Sequence, residues 1–180
     1  MFTIQQSVTI ARPVDRVFAF LTNLDNIPSW RPDVLELRSG GGPLHVGSEF
    51  DEVISFGGRK AQRFRVEVLE PNETLEVVAI AGLGIRPTQR YDLSNRDGRT
   101  TVSIRVTVHT QGLFRLLEPL LPQMIAAKWR NYGARLTELL ENQRVVPSNE
   151  TRGARSEDSE TRPPDSRSIE IGRASCRERV

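Results

Sequence analysis

The chain has 180 residues, 37% of them hydrophobic, and a formal net charge of +2 at pH 7. That length suits one domain of roughly 100–200 residues with an appendage, and so small a charge excludes the strongly basic character typical of nucleic-acid-binding proteins. No stretch approaches the roughly 18 consecutive apolar residues that span a bilayer, and the first residues lack the features of a signal peptide. Composition therefore predicts a soluble protein, located in the cytoplasm.

The N-terminal part predicts one strand followed by two short helices. Residues 2–10 alternate apolar and polar side chains, as a half-buried strand does. Pro13 suits the first turn of a helix, and apolar residues at helical spacing continue from there until just before Asp25. Pro28 and Pro32 then allow at most one helical turn before the chain becomes extended.

Six further strands are predicted in the middle of the chain. Alternating side chains mark most of them, and Gly-Gly, Pro-Asn and Asp-Gly sequences predict turns between them. The alternation implies a sheet with one face exposed to water. The predicted strands are residues 34–37, 48–56, 60–69, 75–81, 88–94 and 101–109.

A long amphipathic helix is predicted next. After Gly112 the apolar period changes from two residues to about 3.6, and the apolar stripe continues to Leu140. A proline inside a helix costs about 3 kcal/mol. Pro119 therefore predicts a short helical piece ending at Glu118 and a main helix over residues 119–142.

The last part of the chain predicts a disordered, charged tail. Residues 147–180 contain seven arginines and seven acidic residues, with few apolar side chains and no periodicity. Such a segment cannot bury enough apolar surface to offset its ordering entropy. The sole cysteine, Cys176, lies there, so no internal disulfide can form. The residues around it resemble translated vector sequence, so the tail over residues 144–180 is either natural or partly non-native.

The order of the elements predicts an α+β fold over residues 1–143. Helices do not separate the strands, so a doubly wound parallel sheet is excluded, and a seven-stranded antiparallel sheet should wrap around the C-terminal helix. One helix about 10 Å across cannot fill the concave side of so wide a sheet. We therefore expect a cavity between the sheet and the helix.

Four sequence segments resemble the SRPBCC superfamily, the START-like or helix-grip proteins. They are residues 11–18, residues 26–34, Gly47 before a strand, and Gly112 before the leucine-rich helix. The branch most similar to this chain is that of polyketide cyclases/dehydrases and lipid-transport proteins. The resemblance implies a helix-grip fold and a hydrophobic ligand. It specifies no activity, because one fold hosts many functions.

Glu52 and Tyr91 are the candidate catalytic residues. Glu52 shares the strand face of apolar neighbours, and burial in the cavity would raise the pKa of its carboxyl, suiting it to acid–base chemistry. A local bulge or an edge position would instead leave Glu52 in solvent. Gln89 and Tyr91 could present an amide and a phenol to the same cavity, or could form an ordinary buried hydrogen bond.

The remaining candidates follow from the expected cavity. Trp30 borders the cavity entrance or plugs the core, and the two histidines, His45 and His109, are expected on the surface, as are Arg63, Arg65 and Arg90. No metal site and no cofactor are predicted. The residues expected to bind the ligand are Trp30, Phe50, Ile54, Phe64, Val66, Leu75, Val77, Gln89, Tyr91, Ile104, Val106, Met124, Ile125 and Trp129.

Three functions are consistent with these features. The first is binding or transport of a lipid, a polyketide or another apolar small molecule, which apolar walls with few polar groups favour. The second is a polyketide cyclase, aromatase or dehydrase that uses Glu52 and Tyr91. The third is a protein-interaction module. The sequence leaves the oligomeric state open.

Overall fold

The computed structural model describes residues 1–82, 84–112 and 119–142. The predicted tail and the predicted helical piece ending at Glu118 lie outside the described residues. No helix among the described residues is both long and apolar enough to cross a membrane.

Seven antiparallel strands form one curved sheet in the order β1-β7-β6-β5-β4-β3-β2. The strands lie close to the predicted segments, because alternating side chains mark a strand that is buried on one face. Their bounds are β1 (Phe2–Ile10), β2 (Val34–Ser39), β3 (Glu49–Ser55), β4 (Arg59–Glu70), β5 (Thr74–Ala81), β6 (Ile85–Arg96) and β7 (Arg99–Thr110).

The helices complete the predicted α+β architecture. A short helix and a single helical turn follow β1, and the long helix comes last among the described elements. The prediction of a seven-stranded sheet with a C-terminal helix is confirmed. The helices are α1 (Val14–Thr22), α2 (Ile27–Trp30), which follows a 3₁₀ turn at Leu24–Asn26, and α3 (Leu121–Asn142).

Several element ends differ from the prediction by one to three residues, and two of these ends lie near prolines. The long helix begins at Leu121 rather than at residue 119. Strand β6 begins at Ile85, three residues before the predicted start, and includes Pro87. Proline is tolerated there because β5 and β6 pair only as far as Val78 and Thr88, so Pro87 has only β7 beside it.

Helix α3 packs closely on the edge strand β1. A Cβ added at Gly133 would lie 2.9 Å from Cγ1 of Val8, so glycine permits the close approach. The Gln6 amide donates to the Trp129 carbonyl at 2.6 Å. At the other end of α3, Arg12 Nε donates to the Leu140 carbonyl at 2.8 Å, which satisfies a helix-terminal acceptor. These contacts hold α3 across the concave face.

Candidate functional site

The cavity lies where strands β5 and β6 separate. Their pairing ends at Val78 and Thr88, whereas β4 and β5 remain paired as far as Arg63 and Ala81. Beyond the end of this pairing, the Gln62 amide of β4 donates to the Ile85 carbonyl of β6 at 3.3 Å. No β5 residue lines the cavity among the described residues. The departure of β5 therefore makes room that the neighbouring strands do not fill.

The cavity has a volume of about 90 Å³ and opens to solvent. One water needs about 10–15 Å³ on this measure, and a closed apolar cavity of about 150 Å³ holds benzene in another protein. The space therefore admits a small organic molecule only if part of it extends into the opening or side chains move. The apolar lining comes from Ile54, Phe56, Ile85, Pro87, Val106, Val108, Ile125, Trp129 and Tyr132, and the polar lining from Arg31, Asp33, Lys60, Gln62, Gln89 and Lys128.

A second cavity of about 130 Å³ lies between α3 and the strands β1 and β7. Ile104, Ala126 and Arg130 contribute to its lining, together with residues of β1. Val106 and Trp129 line both cavities, so their side chains form the wall between them.

An aromatic cluster packs beside the first cavity on the concave face. The Trp30 ring makes edge contacts with Tyr91, Trp129 and Tyr132, at centroid separations of 6.3, 6.5 and 6.5 Å. Each of the four side chains is buried. Trp30 is therefore a core plug and does not border the cavity. The cluster occupies space that the sequence had assigned to the ligand, which is why the cavity is small.

Glu52 is buried, with 1% of its surface exposed, and forms an ion pair. Two guanidinium nitrogens of Arg31 donate to its two carboxylate oxygens at 3.0 and 2.9 Å. Burial is the largest single effect on Arg31 and opposes its charged form, but Glu52, Tyr91 and Asp33 together outweigh burial and raise the pKa of the guanidinium. Sequence reasoning missed Arg31 because it stands in a Pro-rich turn with no strand or helix period.

Tyr91 is also engaged in the core. Its hydroxyl donates to Oε1 of Gln89 at 2.8 Å, and both residues are buried. Burial raises the pKa of Tyr91 still further above neutral pH. Glu52 and Tyr91 do not line the described cavities, so the structure does not support their sequence-based pairing as an acid and a base.

The other predicted ligand-binding residues divide into three groups. Ile54, Gln89, Val106, Ile125 and Trp129 line the first cavity, and Ile104, Val106 and Trp129 line the second. Met124 is 58% exposed, because the apolar stripe of α3 is wider than the face that meets the sheet. The remaining predicted residues are core side chains that line neither cavity, namely Phe50, Phe64, Val66, Leu75 and Val77.

The polar residues expected on the surface lie there. His45 and His109 are exposed. On the convex face, Arg63 pairs with Asp51, and Arg65 and Arg90 make similar cross-strand ion pairs. These contacts link neighbouring strands far from the cavity.

Three cavity residues carry polar atoms without a hydrogen bond. Among the described residues no partner meets Nε of Arg31, Oδ1 of Asp33 or the hydroxyl of Tyr132. Asp33 also accepts from Lys128 through Oδ2 at 3.5 Å. Burial raises the pKa of Tyr132, and the nearby Asp33 carboxylate adds to that rise.

Solved structures share this fold at low sequence identity. A START superfamily protein from Mycobacterium smegmatis matches with a TM-score of 0.64 and 12% identity over 77% of this chain and 97% of its own. Protein CV1439 from Chromobacterium violaceum matches with a TM-score of 0.61 and 16% identity, over 79% of this chain and 100% of its own. The Aha1 protein from Colwellia psychrerythraea matches with a TM-score of 0.59 and 19% identity, over 79% of this chain and 98% of its own. At these identities the likeness shows the fold alone.

The family comparison extends over almost the whole described domain. No curated protein sequence matches the chain. The model of the family described as polyketide cyclase / dehydrase and lipid transport matches residues 1–141. This match confirms the resemblance found in the sequence: the chain belongs to the polyketide cyclase / dehydrase and lipid transport family.

Proposed function

We propose that the domain binds a small hydrophobic molecule in the cavity between the sheet and α3. The observation that carries this proposal is a largely apolar, solvent-connected space at the point where β5 leaves β6. Ligand sites are concave and mostly apolar, with a few polar groups that orient the ligand. The family description and the START superfamily neighbour support the same reading.

The contacts proposed for the ligand come from five residues that the sequence had already singled out. Ile54, Val106, Ile125 and Trp129 offer apolar surface, and Gln89 offers a polar edge. The size of the cavity argues for a single ring or a short chain, with any longer part of the molecule at the opening. Action in the cytoplasm stays a prediction from the sequence.

The test uses ethylbenzene and a variant that narrows the opening. Ile125 lines the cavity and is half-buried, so Ile125→Trp can fill the opening without forcing a large side chain into the core. Titration followed by heteronuclear NMR should show shifts at cavity-lining residues in the wild type and at least about tenfold weaker binding in the variant.

The control variant is Leu139→Trp, since Leu139 is also half-buried on α3 but lines a surface depression instead. Its affinity for ethylbenzene should equal that of the wild type. Absence of cavity shifts at millimolar ethylbenzene, or equal affinities in all three proteins, would overturn the proposal.

A cyclase, aromatase or dehydrase activity is the second candidate, favoured by the family description. The observation that bears on it is that Asp33 and Tyr132, rather than Glu52 and Tyr91, bring titratable groups to the cavity. Incubation with a poly-β-keto model compound, followed by mass spectrometry of the products, distinguishes the two: loss of water or ring closure that depends on the protein would favour the enzyme.

A further inference from the structure

Three residues that line the cavity each carry a buried polar atom that the protein itself leaves without a hydrogen-bond partner. Arg31 and Tyr132 are 5% exposed each, and Asp33 is partly buried. The Arg31 Nε–H and the Tyr132 hydroxyl are donors, and Oδ1 of Asp33 is an acceptor. None of the three has a hydrogen-bond partner among the described residues.

Unpartnered buried groups are uncommon because each costs free energy. Most buried polar atoms in folded proteins make at least one hydrogen bond. Of the four such side-chain atoms among the described residues, three belong to residues that line this cavity, and the fourth, Nε1 of Trp30, lies in the adjoining aromatic cluster. Two other Arg31 nitrogens bind Glu52, and Tyr91 donates to Gln89. This concentration indicates that a ligand supplies the missing partners.

The charges around this group decide which ligand group fits. The guanidinium of Arg31 is neutralised by Glu52, and the ammonium of Lys128 lies 3.5 Å from Oδ2 of Asp33. Lys60, a half-buried residue, adds a positive charge to the lining. A carboxylate ligand would place its charge beside the unpartnered Oδ1 of Asp33, where like charges repel each other. A neutral group that both accepts and donates meets no such repulsion.

We propose that Arg31, Asp33 and Tyr132 form a donor–acceptor site for a neutral polar group at one end of the hydrophobic ligand. In this site a ligand oxygen accepts from the Tyr132 hydroxyl or from Arg31 Nε, and an adjacent O–H or N–H donates to Oδ1 of Asp33. Neutral amides and hydroxycarbonyl groups present this pair. The inference rests on the proposed ligand-binding function and adds the chemical class of the ligand.

Four nearly isosteric probes test the site. Benzamide carries both a donor and an acceptor, acetophenone only an acceptor, benzoate a negative charge, and ethylbenzene neither donor nor acceptor. Isothermal titration or NMR titration should rank benzamide first, ahead of ethylbenzene by at least about fivefold, roughly the gain from one net hydrogen bond. Acetophenone should fall between them, and benzoate should bind more weakly than benzamide.

Two variants assign the preference to particular atoms. Tyr132→Phe should remove most of the advantage of benzamide and of acetophenone over ethylbenzene. Its melting temperature should not fall, because the lost hydroxyl has no partner. The comparison for stability is Tyr91→Phe, which removes a hydroxyl that donates to Gln89 and should lower the melting temperature.

Asp33→Asn tests the charge. The substitution should raise the affinity for benzoate relative to benzamide, because it removes the negative charge of the Asp33 carboxylate from the site. The matched substitution Asp51→Asn, on the convex face, should leave the ratio of the two affinities at the wild-type value.

The outcomes separate this inference from the proposed function. Equal binding of benzamide and ethylbenzene, or tightest binding of benzoate by the wild type, would overturn the donor–acceptor site while leaving hydrophobic binding intact. Binding of none of the four probes would overturn both. An unchanged ranking in Tyr132→Phe and Asp33→Asn would place the polar contact elsewhere and would also overturn the assignment.

Discussion

At the scale of single residues, the buried pair of Arg31 and Glu52 is the main departure from an apolar core. Both side chains are almost fully buried and meet through two hydrogen bonds of 3.0 and 2.9 Å. Arg31 cannot lose its proton to relieve an unpaired charge, since the guanidinium is always protonated and Glu52 raises its pKa further. Its charge therefore depends on Glu52 for compensation.

Removal of the Glu52 charge should therefore lower the stability of the fold. Glu52→Gln should lower the free energy of unfolding by about 3 kcal/mol or more, because breaking a buried ion pair leaves a buried charge unpaired. Denaturant unfolding followed by circular dichroism measures the change. Glu49→Gln is the matched control on the same strand, and its exposed pair with Arg65 should contribute only about 0–1 kcal/mol. Equal stabilities of wild type and Glu52→Gln would show that the pair does not hold the fold.

At the scale of elements, the packing of α3 on β1 depends on one glycine. Helix propensity favours alanine over glycine by about 1 kcal/mol. At residue 133, however, a Cβ would meet Cγ1 of Val8 at 2.9 Å and Nε2 of Gln6 at 3.1 Å. The amide of Gln6 can move, but the valine methyl group is fixed near the backbone. The position of α3 on β1 therefore depends on this contact.

The expected effect of Gly133→Ala is a loss of stability despite the gain in propensity. Overpacking usually costs about 1–3 kcal/mol, so the melting temperature should fall. Adding Val8→Ala removes the clashing methyl group, and the double variant should be more stable than additivity of the single changes predicts. A melting temperature of Gly133→Ala above that of the wild type would show that α3 can move away from β1 at little cost.

At the scale of the whole molecule, the sequence predicts that folding needs only the first part of the chain. The family model matches residues 1–141, and the described contacts of the core fall within residues 1–142. A chain ending at Val145 should therefore melt at the temperature of the full chain and bind ethylbenzene with the same affinity. Differential scanning calorimetry and NMR titration of the two chains measure this. A melting temperature lower by several degrees would show that residues 146–180 contribute to the fold.

The curvature of the sheet is also a property of the whole molecule. The register of β4 with β5 shifts twice, between Arg63 and Phe64 and between Val66 and Val68. Such bulges bend a strand and increase its twist. The bend and the early end of β5–β6 pairing produce a concave surface that α3 does not fill completely.

The amino-acid sequence by itself determined the order of the elements, the faces of the strands and the family. These depend on local periodicity and on short motifs, which a single chain displays directly. Residues 101–109, for example, alternate so regularly that the inward positions Val102 to Val108 are buried as expected. The inward position of Glu52 follows from the same parity.

Only the tertiary structure decided what Glu52 meets and which residues line the cavity. Arg31 lies 21 positions before Glu52 in the sequence, in an irregular turn. Tyr132, on the long helix, lines the same cavity as Arg31. No local pattern relates these three residues, because the packing of elements that are distant in the chain brings them together. Strand parity can tell that a side chain points inward, but the packing of distant elements determines whether it meets an ion-pair partner, an aromatic ring or an open cavity.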